Sequence, residues 1–214
     1  MGKIYCLSGI GADDRIFGKL SIPGYELVHL AWIKPERKET LPQYALRIAK
    51  LIDEENPIIL GLSFGGMLCT EIAKALPVKK AFLISSAKTK LELPKLNRAV
   101  QALIRSQILP PFVFSIPNRY ICKIFGAETA DEIRLLNGII RDADGAFVKW
   151  ASRAIVEWHN EVVPPNIIHI HGTNDHVLPS AISKPDYWID GGTHLMVYSC
   201  AGEVSTIIAG ELSH

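Results

Sequence analysis

The sequence predicts an α/β protein whose parallel sheet is covered by helices on both faces. Short apolar runs rich in β-branched residues alternate with helical patterns, and Gly, Pro or Asn bounds the runs. Strand, helix, strand in this order requires crossover connections, and these place helices on the two faces of a parallel sheet. At 214 residues and 23.6 kDa the chain suits one compact domain, residues 1–214, better than two.

Residues 3–8 read as the first strand, 13–20 as a short helix and 25–32 as a second strand. Residues 41–52 read as a helix with Leu41, Tyr44, Ala45, Ile48 and Leu51 on one face and Thr40 as its N-cap. The unbroken Ile58-Ile59-Leu60 marks 57–62 as a buried strand, and 64–76 follows as a helix that Pro77 stops. Residues 80–86 form the next strand. From 91 to about 161 the pattern turns helical, with breaks at Pro110-Pro111, Pro117-Asn118 and Gly145, so this stretch reads as an insertion of several short helices. Strands resume at 166–170 and 187–190, and an apolar helix runs from about 194 to 209. There are no internal repeats or low-complexity tracts.

Composition narrows the functional classes. Hydrophobic residues make up 48% and charged residues 21%, which suits a globular chain rather than a disordered or membrane-spanning one. With 23 Lys+Arg against 22 Asp+Glu and no block of like charge, nucleic acid is not an expected partner. Cys6, Cys69, Cys122 and Cys200 form no C-x-x-C pair, so reduced thiols are expected rather than a metal knuckle or redox motif. The apolar start from Ile4 to Leu7 is too brief for a signal peptide or span, and Cys6 stands where myristoylation needs Ser or Thr. A cytoplasmic protein acting on a small molecule is the expectation.

The chemistry centres on Gly61-Leu62-Ser63-Phe64-Gly65, a G-x-S-x-G match between a predicted strand and a predicted helix. At ordinary Gly and Ser frequencies about one such chain in a dozen would hold the match by accident, so the flanking elements matter more than the motif. A serine turned out of a strand end adopts strained backbone, and side chains two residues to either side would collide with it; glycines remove the clash. The following helix aims its N-terminal amides where negative charge would develop, which makes the Phe64 N–H an oxyanion donor. A Gly-rich turn that merely packs tightly or holds phosphate is the competing reading.

A nucleophilic serine needs a base, and the base needs an orienting carboxylate. His194, after Gly191-Gly192-Thr193 and past a strand, is the best base; His29 lies in a strand, His159 in the helical insertion and His214 at the terminus. Asp175 ends the strand and turn His171-Gly172-Thr173-Asn174 and is the first choice of acid, ahead of Asp186 and Asp190, while Asp142 and Asp144 fall in the insertion. His169, His171, Asp175 and His176 also invite a zinc reading, but three residues separate His171 from Asp175 and no further ligand cluster follows. The loop Ser8-Gly9-Ile10-Gly11 offers a second oxyanion donor, Ile10 N–H ahead of Gly11, with Asp13 as an N-cap. No Gly-Lys-Ser/Thr follows, so a phosphate loop is not expected.

With the order Ser63, Asp175, His194, each just past a strand, the chain resembles the α/β-hydrolase superfamily over nearly its whole length. The motifs are Ser8-Gly9-Ile10-Gly11, Gly61 to Gly66, His171 to Asp175 and Gly192-Thr193-His194. Ser8-Gly9 stands where the family usually has His-Gly. The resemblance implies a three-layer sandwich whose chain begins at the family's third strand, with about six strands in the order 2-1-3-4-5-6. It also implies that the helical stretch, residues 88–163, is a cap, and that the helix usually found between acid and base is trimmed. Ile104, Ile108, Leu109, Phe112, Phe114, Ile121, Ile124 and Phe125 are expected mostly as cap core, some lining a pocket. The implied activity is ester or thioester hydrolysis without cofactor or metal. Amide or C–C hydrolysis, acyl transfer, lyase chemistry and a non-catalytic binding module remain as alternatives. The oligomeric state is open.

Overall fold

The computed structural model describes residues 1–213; His214 and the side chain of Phe114 lie outside the described residues. Six strands build one parallel sheet: β1 (Gly2–Leu7), β2 (Tyr25–His29), β3 (Ile58–Leu62), β4 (Lys80–Ile84), β5 (Ile167–Gly172) and β6 (Tyr187–Ile189). Their spatial order is β2-β1-β3-β4-β5-β6, as expected. The register sets Leu7 beside Gly61, Leu62 beside Ile84, and Gly172 beside Ile189, so the carboxyl ends of the strands lie along one edge.

Alternation along the strands divides the core in two. Ile4, Cys6, Leu60 and Phe82 face one layer with Met196, Val204 and Ile208. Tyr5, Leu7, Ile59 and Leu83 face the other with Tyr44, Leu68, Phe147 and Trp150. A strand puts successive side chains on opposite faces, so a strand apolar throughout needs cover on both sides.

Helix α1 (Leu41–Ala49) opens with a capping box between Thr40 and Gln43, and buries Leu41, Tyr44, Ala45 and Ile48. Leu51, expected on the same face, is 48% exposed because the helix has already ended. Helix α2 (Phe64–Ala75) buries every residue from Phe64 to Ile72, and Leu76 turns extended at ψ 147°, the conformation that a following proline imposes.

Four helices lie between β4 and β5: α3 (Arg98–Ser106), α4 (Arg119–Phe125), α5 (Ala130–Asp142) and α6 (Gly145–Val156). Side chains of Asn97, Asn118, Thr129 and Asp144 cap them in turn. The break expected at Gly145 falls between α5 and α6, with Gly145 the first residue of α6. Between β5 and β6 there is only a 3-10 turn, Ser180–Ile182, in keeping with the short interval from Asp175 to His194. The single C-terminal helix expected from 194 is instead α7 (Met196–Ser199) and α8 (Ala201–Leu212), interrupted where Cys200 sits at φ −114° and ψ 30°, outside the helical well. No helix among the described residues is long and apolar enough to cross a membrane.

Candidate active site

Ser63 occupies the turn from β3 into α2 at φ 52° and ψ −116°, a left-handed backbone that costs a non-glycine residue of order 1–3 kcal/mol. The chain affords it through close packing on either side. A Cβ on Gly61 would stand 2.3 Å from the Gly65 carbonyl carbon, and one on Gly65 would stand 2.1 Å from the Leu7 oxygen. Both positions thus exclude any side chain, as the motif's spacing implies. The Phe64 ring anchors the other side of the turn, edge-on to Phe147 at 6.1 Å and to Trp150 at 6.0 Å.

His194 meets Ser63 from the loop after β6. Its Nε2 lies 3.0 Å from Ser63 Oγ and its Nδ1 lies 2.8 Å from Asp175 Oδ2. The partners set the tautomer: Nδ1–H donates to the carboxylate, and Nε2 is left to accept from the serine hydroxyl. Phe125 packs edge-on against the imidazole at 5.1 Å. Gly172 fits this loop onto the end of β5, since a Cβ there would stand 2.0 Å from Gly192 O.

Asp175 is 3% exposed and its other oxygen accepts from the backbone N–H groups of Val177 at 2.8 Å and Leu178 at 2.9 Å. Burial acts to raise its pKa, but the electrostatic attraction and hydrogen bond of His194, with the Leu178 N–H, outweigh it and hold the carboxyl below the ordinary carboxylate value. The carboxylate is therefore ionised at neutral pH.

The loop after β1 brings the second expected donor. A Cβ on Gly9 would be 3.7 Å from Ser63 Cβ, so the loop that carries Ile10 runs close beside Ser63. Among the described residues no hydrogen bond engages the Ile10 N–H, and Phe64, as the first residue of α2, has no partner one turn back. Ser8, standing where the family usually has histidine, donates its hydroxyl to Ala12 O at 2.7 Å, and Trp32 Nε1–H donates to the same oxygen at 2.9 Å. These bonds close the loop on itself.

Two residues that the sequence did not single out for the site buttress it. Ser86, just past β4, donates to the Ser63 carbonyl oxygen at 2.6 Å. His171, expected as a core or loop histidine rather than a metal ligand, places Nε2 2.9 Å from Leu178 O and Nδ1 3.3 Å from His169 Nε2, and so ties down the turn that presents Asp175. His169 and His171 are fully buried. The signal for both was position alone: each lies at or just past a strand's carboxyl end.

Ser63 and His194 open on a cavity of about 970 Å³. Its walls include Met67 from α2, Leu136 and Ile139 from α5, and Val148 and Ile155 from α6. Of the apolar residues expected in the insertion, Ile121 and Phe125 line it, while Ile108 and Phe112 are 75% and 67% exposed and belong to neither wall nor core. Short helices around an open cavity leave some apolar positions facing water.

Sheet order, the strand-to-helix turn at Ser63 and the two layers of helices define the α/β-hydrolase fold, and the chain has it. Solved structures agree. The chain is similar to an esterase from Exiguobacterium antarcticum (TM-score 0.77, 15% identity, 100% of this chain and 92% of that one). It is similar also to the enol-lactonase from Burkholderia xenovorans LB400 (0.75, 13%, 100% and 92%) and to a bromoperoxidase from Bacillus anthracis (0.70, 16%, 100% and 93%). No protein-family model matches the sequence, and no curated protein matches it.

Proposed function

We propose that the protein is a serine hydrolase that cleaves an ester or thioester of a small or acyl-chain substrate, with Ser63, His194 and Asp175 as its catalytic triad. The observation that carries this is the continuous chain of hydrogen bonds from Asp175 through His194 to a Ser63 held at positive φ and opening on a cavity. Esterases and other hydrolases among the structural neighbours agree with the hydrolytic reading.

In this reading His194 Nε2 takes the Ser63 proton as Oγ attacks the acyl carbon, and Asp175 steadies the imidazolium that forms. The N–H groups of Phe64 and Ile10 donate to the oxyanion. His194 then returns the proton to the leaving oxygen or sulfur, which departs as the acyl bond breaks. Water, deprotonated by His194, attacks the acyl-Ser63 carbon; the acid is released and Ser63 recovers its proton. Helices α3 to α6, within residues 88–163, serve as the cap that holds the acyl part against Ser63. A fluorophosphonate probe tests the proposal directly. Labelling of the folded protein that Ser63→Ala abolishes, with loss of activity on p-nitrophenyl esters, is the expected result; equal behaviour of the two proteins would overturn it.

A further inference from the structure

The cavity mouth carries a charge pattern that its apolar interior does not explain. Its charged lining residues are Lys90, Lys95, Arg98 and Arg105, and no carboxylate lines it among the described residues. Lys90 is already paired with Glu161. Lys95, Arg98 and Arg105 are exposed and their side chains have no hydrogen bond or ion pair among the described residues, although the chain as a whole carries nearly equal numbers of acids and bases. The 35 residues between Glu92 and Glu128 hold five cations and no carboxylate, spaced too widely to read as a block. Glu92 itself is buried and accepts the Lys88 N–H at 2.6 Å.

Helix α3 gives the pattern a direction. Arg98, Gln101 and Arg105 recur at i, i+3 and i+7, one stripe of the helix, and it is this polar stripe that lines the cavity. Val100 and Leu103, off that stripe, are 38% and 45% exposed, and no residue of α3 is buried. A helix held only by apolar packing would turn the other way. Seven residues at 1.5 Å each set the two guanidinium-bearing positions about 10 Å apart along the mouth.

We propose, on the serine-hydrolase reading above, that the substrate is an acyl ester or thioester whose alcohol or thiol part bears phosphate. The acyl chain lies in the apolar cavity against Ser63, and Lys95, Arg98 and Arg105 hold the phosphate at the mouth. Guanidinium forks match phosphate oxygens in pairs, and three unpaired cations complement a di- or polyanion, whereas a single carboxylate would leave two uncompensated. Hydrolysis breaks the acyl–O or acyl–S bond; water supplies hydroxide to the acyl group and a proton to the phosphate-bearing alcohol or thiol.

The test compares two thioesters with the same reacting bond, butyryl-coenzyme A and neutral butyryl-N-acetylcysteamine, in wild type and in K95Q/R98Q/R105Q, with R98Q and R105Q measured singly. Wild type is expected to favour the phosphate-bearing thioester by about tenfold or more in kcat/KM at low ionic strength, mainly through KM, and to lose that preference in about 0.5 M salt. The triple variant should lose it at any salt. Soluble dibutyryl phosphatidic acid, whose phosphate monoester is close to a dianion at neutral pH, against tributyrin forms a second arm: preference there and not for the coenzyme thioester assigns the phosphate to a lipid headgroup. Equal rates on charged and neutral partners in both arms, or a preference that survives the triple variant, would overturn the proposal and leave the hydrolase reading standing. Absence of any hydrolysis together with an unlabelled Ser63 would sink the hydrolase reading and this proposal with it.

Discussion

Ser86 Oγ donates a 2.6 Å hydrogen bond to the carbonyl oxygen of Ser63, the residue whose backbone sits at φ 52°. One strand end thereby holds the strained turn of its neighbour. Ser86→Ala removes that restraint and should cost about 1 kcal/mol in stability. On the proposed serine-hydrolase reading it should also lower kcat on an ester severalfold at nearly constant KM, because Ser63 is less well positioned while the pocket is intact. Urea denaturation and steady-state kinetics on one p-nitrophenyl ester check both parts; a change in stability alone would assign Ser86 a purely structural role.

Gly65→Ala tests the close approach behind the turn. The new methyl would fall 2.1 Å from a backbone oxygen of β1, which can yield only if two elements separate. Destabilisation of about 3 kcal/mol or more is expected, read as a lower urea midpoint. Gly202→Ala, within α8 and with nothing within 4 Å of the new methyl, is the control and should leave the midpoint unchanged or slightly raised, since Ala favours the helix over Gly.

Asp175→Asn should keep the fold, because its side-chain oxygen still accepts from Val177 and Leu178 N–H. Its amide would face His194 Nδ1 and favour the tautomer that puts the proton on Nε2, unable to accept from Ser63. We expect kcat to fall by about 10³–10⁴ and fluorophosphonate labelling to slow in parallel.

His169 and His171 link stability to pH. Burial lowers the pKa of both, that of His169 strongly, so both are neutral in the folded protein at pH values where the unfolded chain has begun to protonate them. Below the unfolded value of about 6.5 the unfolded state binds more protons, and stability falls with acid by up to about 1.4 kcal/mol per pH unit for each histidine. Asp175 adds a separate loss at lower pH, as its depressed carboxyl finally protonates. Urea midpoints between pH 7.5 and 5 should drop steeply in wild type and less in His169→Phe, whose ring has no proton to gain.

Much of this was legible in the residues. G-x-S-x-G between a buried apolar run and a helix marks a turn because each part is local: strand propensity, a steric need for glycine, and a helix start within nine residues. Asp175 and His194 were readable because each follows a strand. Thr40, Asn97, Asn118, Thr129 and Asp144 cap helices through side chains two or three residues away, within reach of sequence reasoning. Ile108 and Phe112 misled, since an apolar residue carries no mark of whether another element will cover it.

The sequence by itself determined the strand and helix order and the three residues that meet at the strand ends, because backbone preference, capping and alternation act over a few bonds. Only the tertiary structure decided that Ser86 braces Ser63, that His171 holds the Asp175 turn, and that α3 turns Arg98 and Arg105 toward a cavity rather than away from it. Those relationships join residues 7 to more than 30 positions apart, and their distances are set by how parallel strands pair and how helices lean on them. Side-chain direction across such gaps follows from packing summed over the whole core, which no short stretch of chain contains.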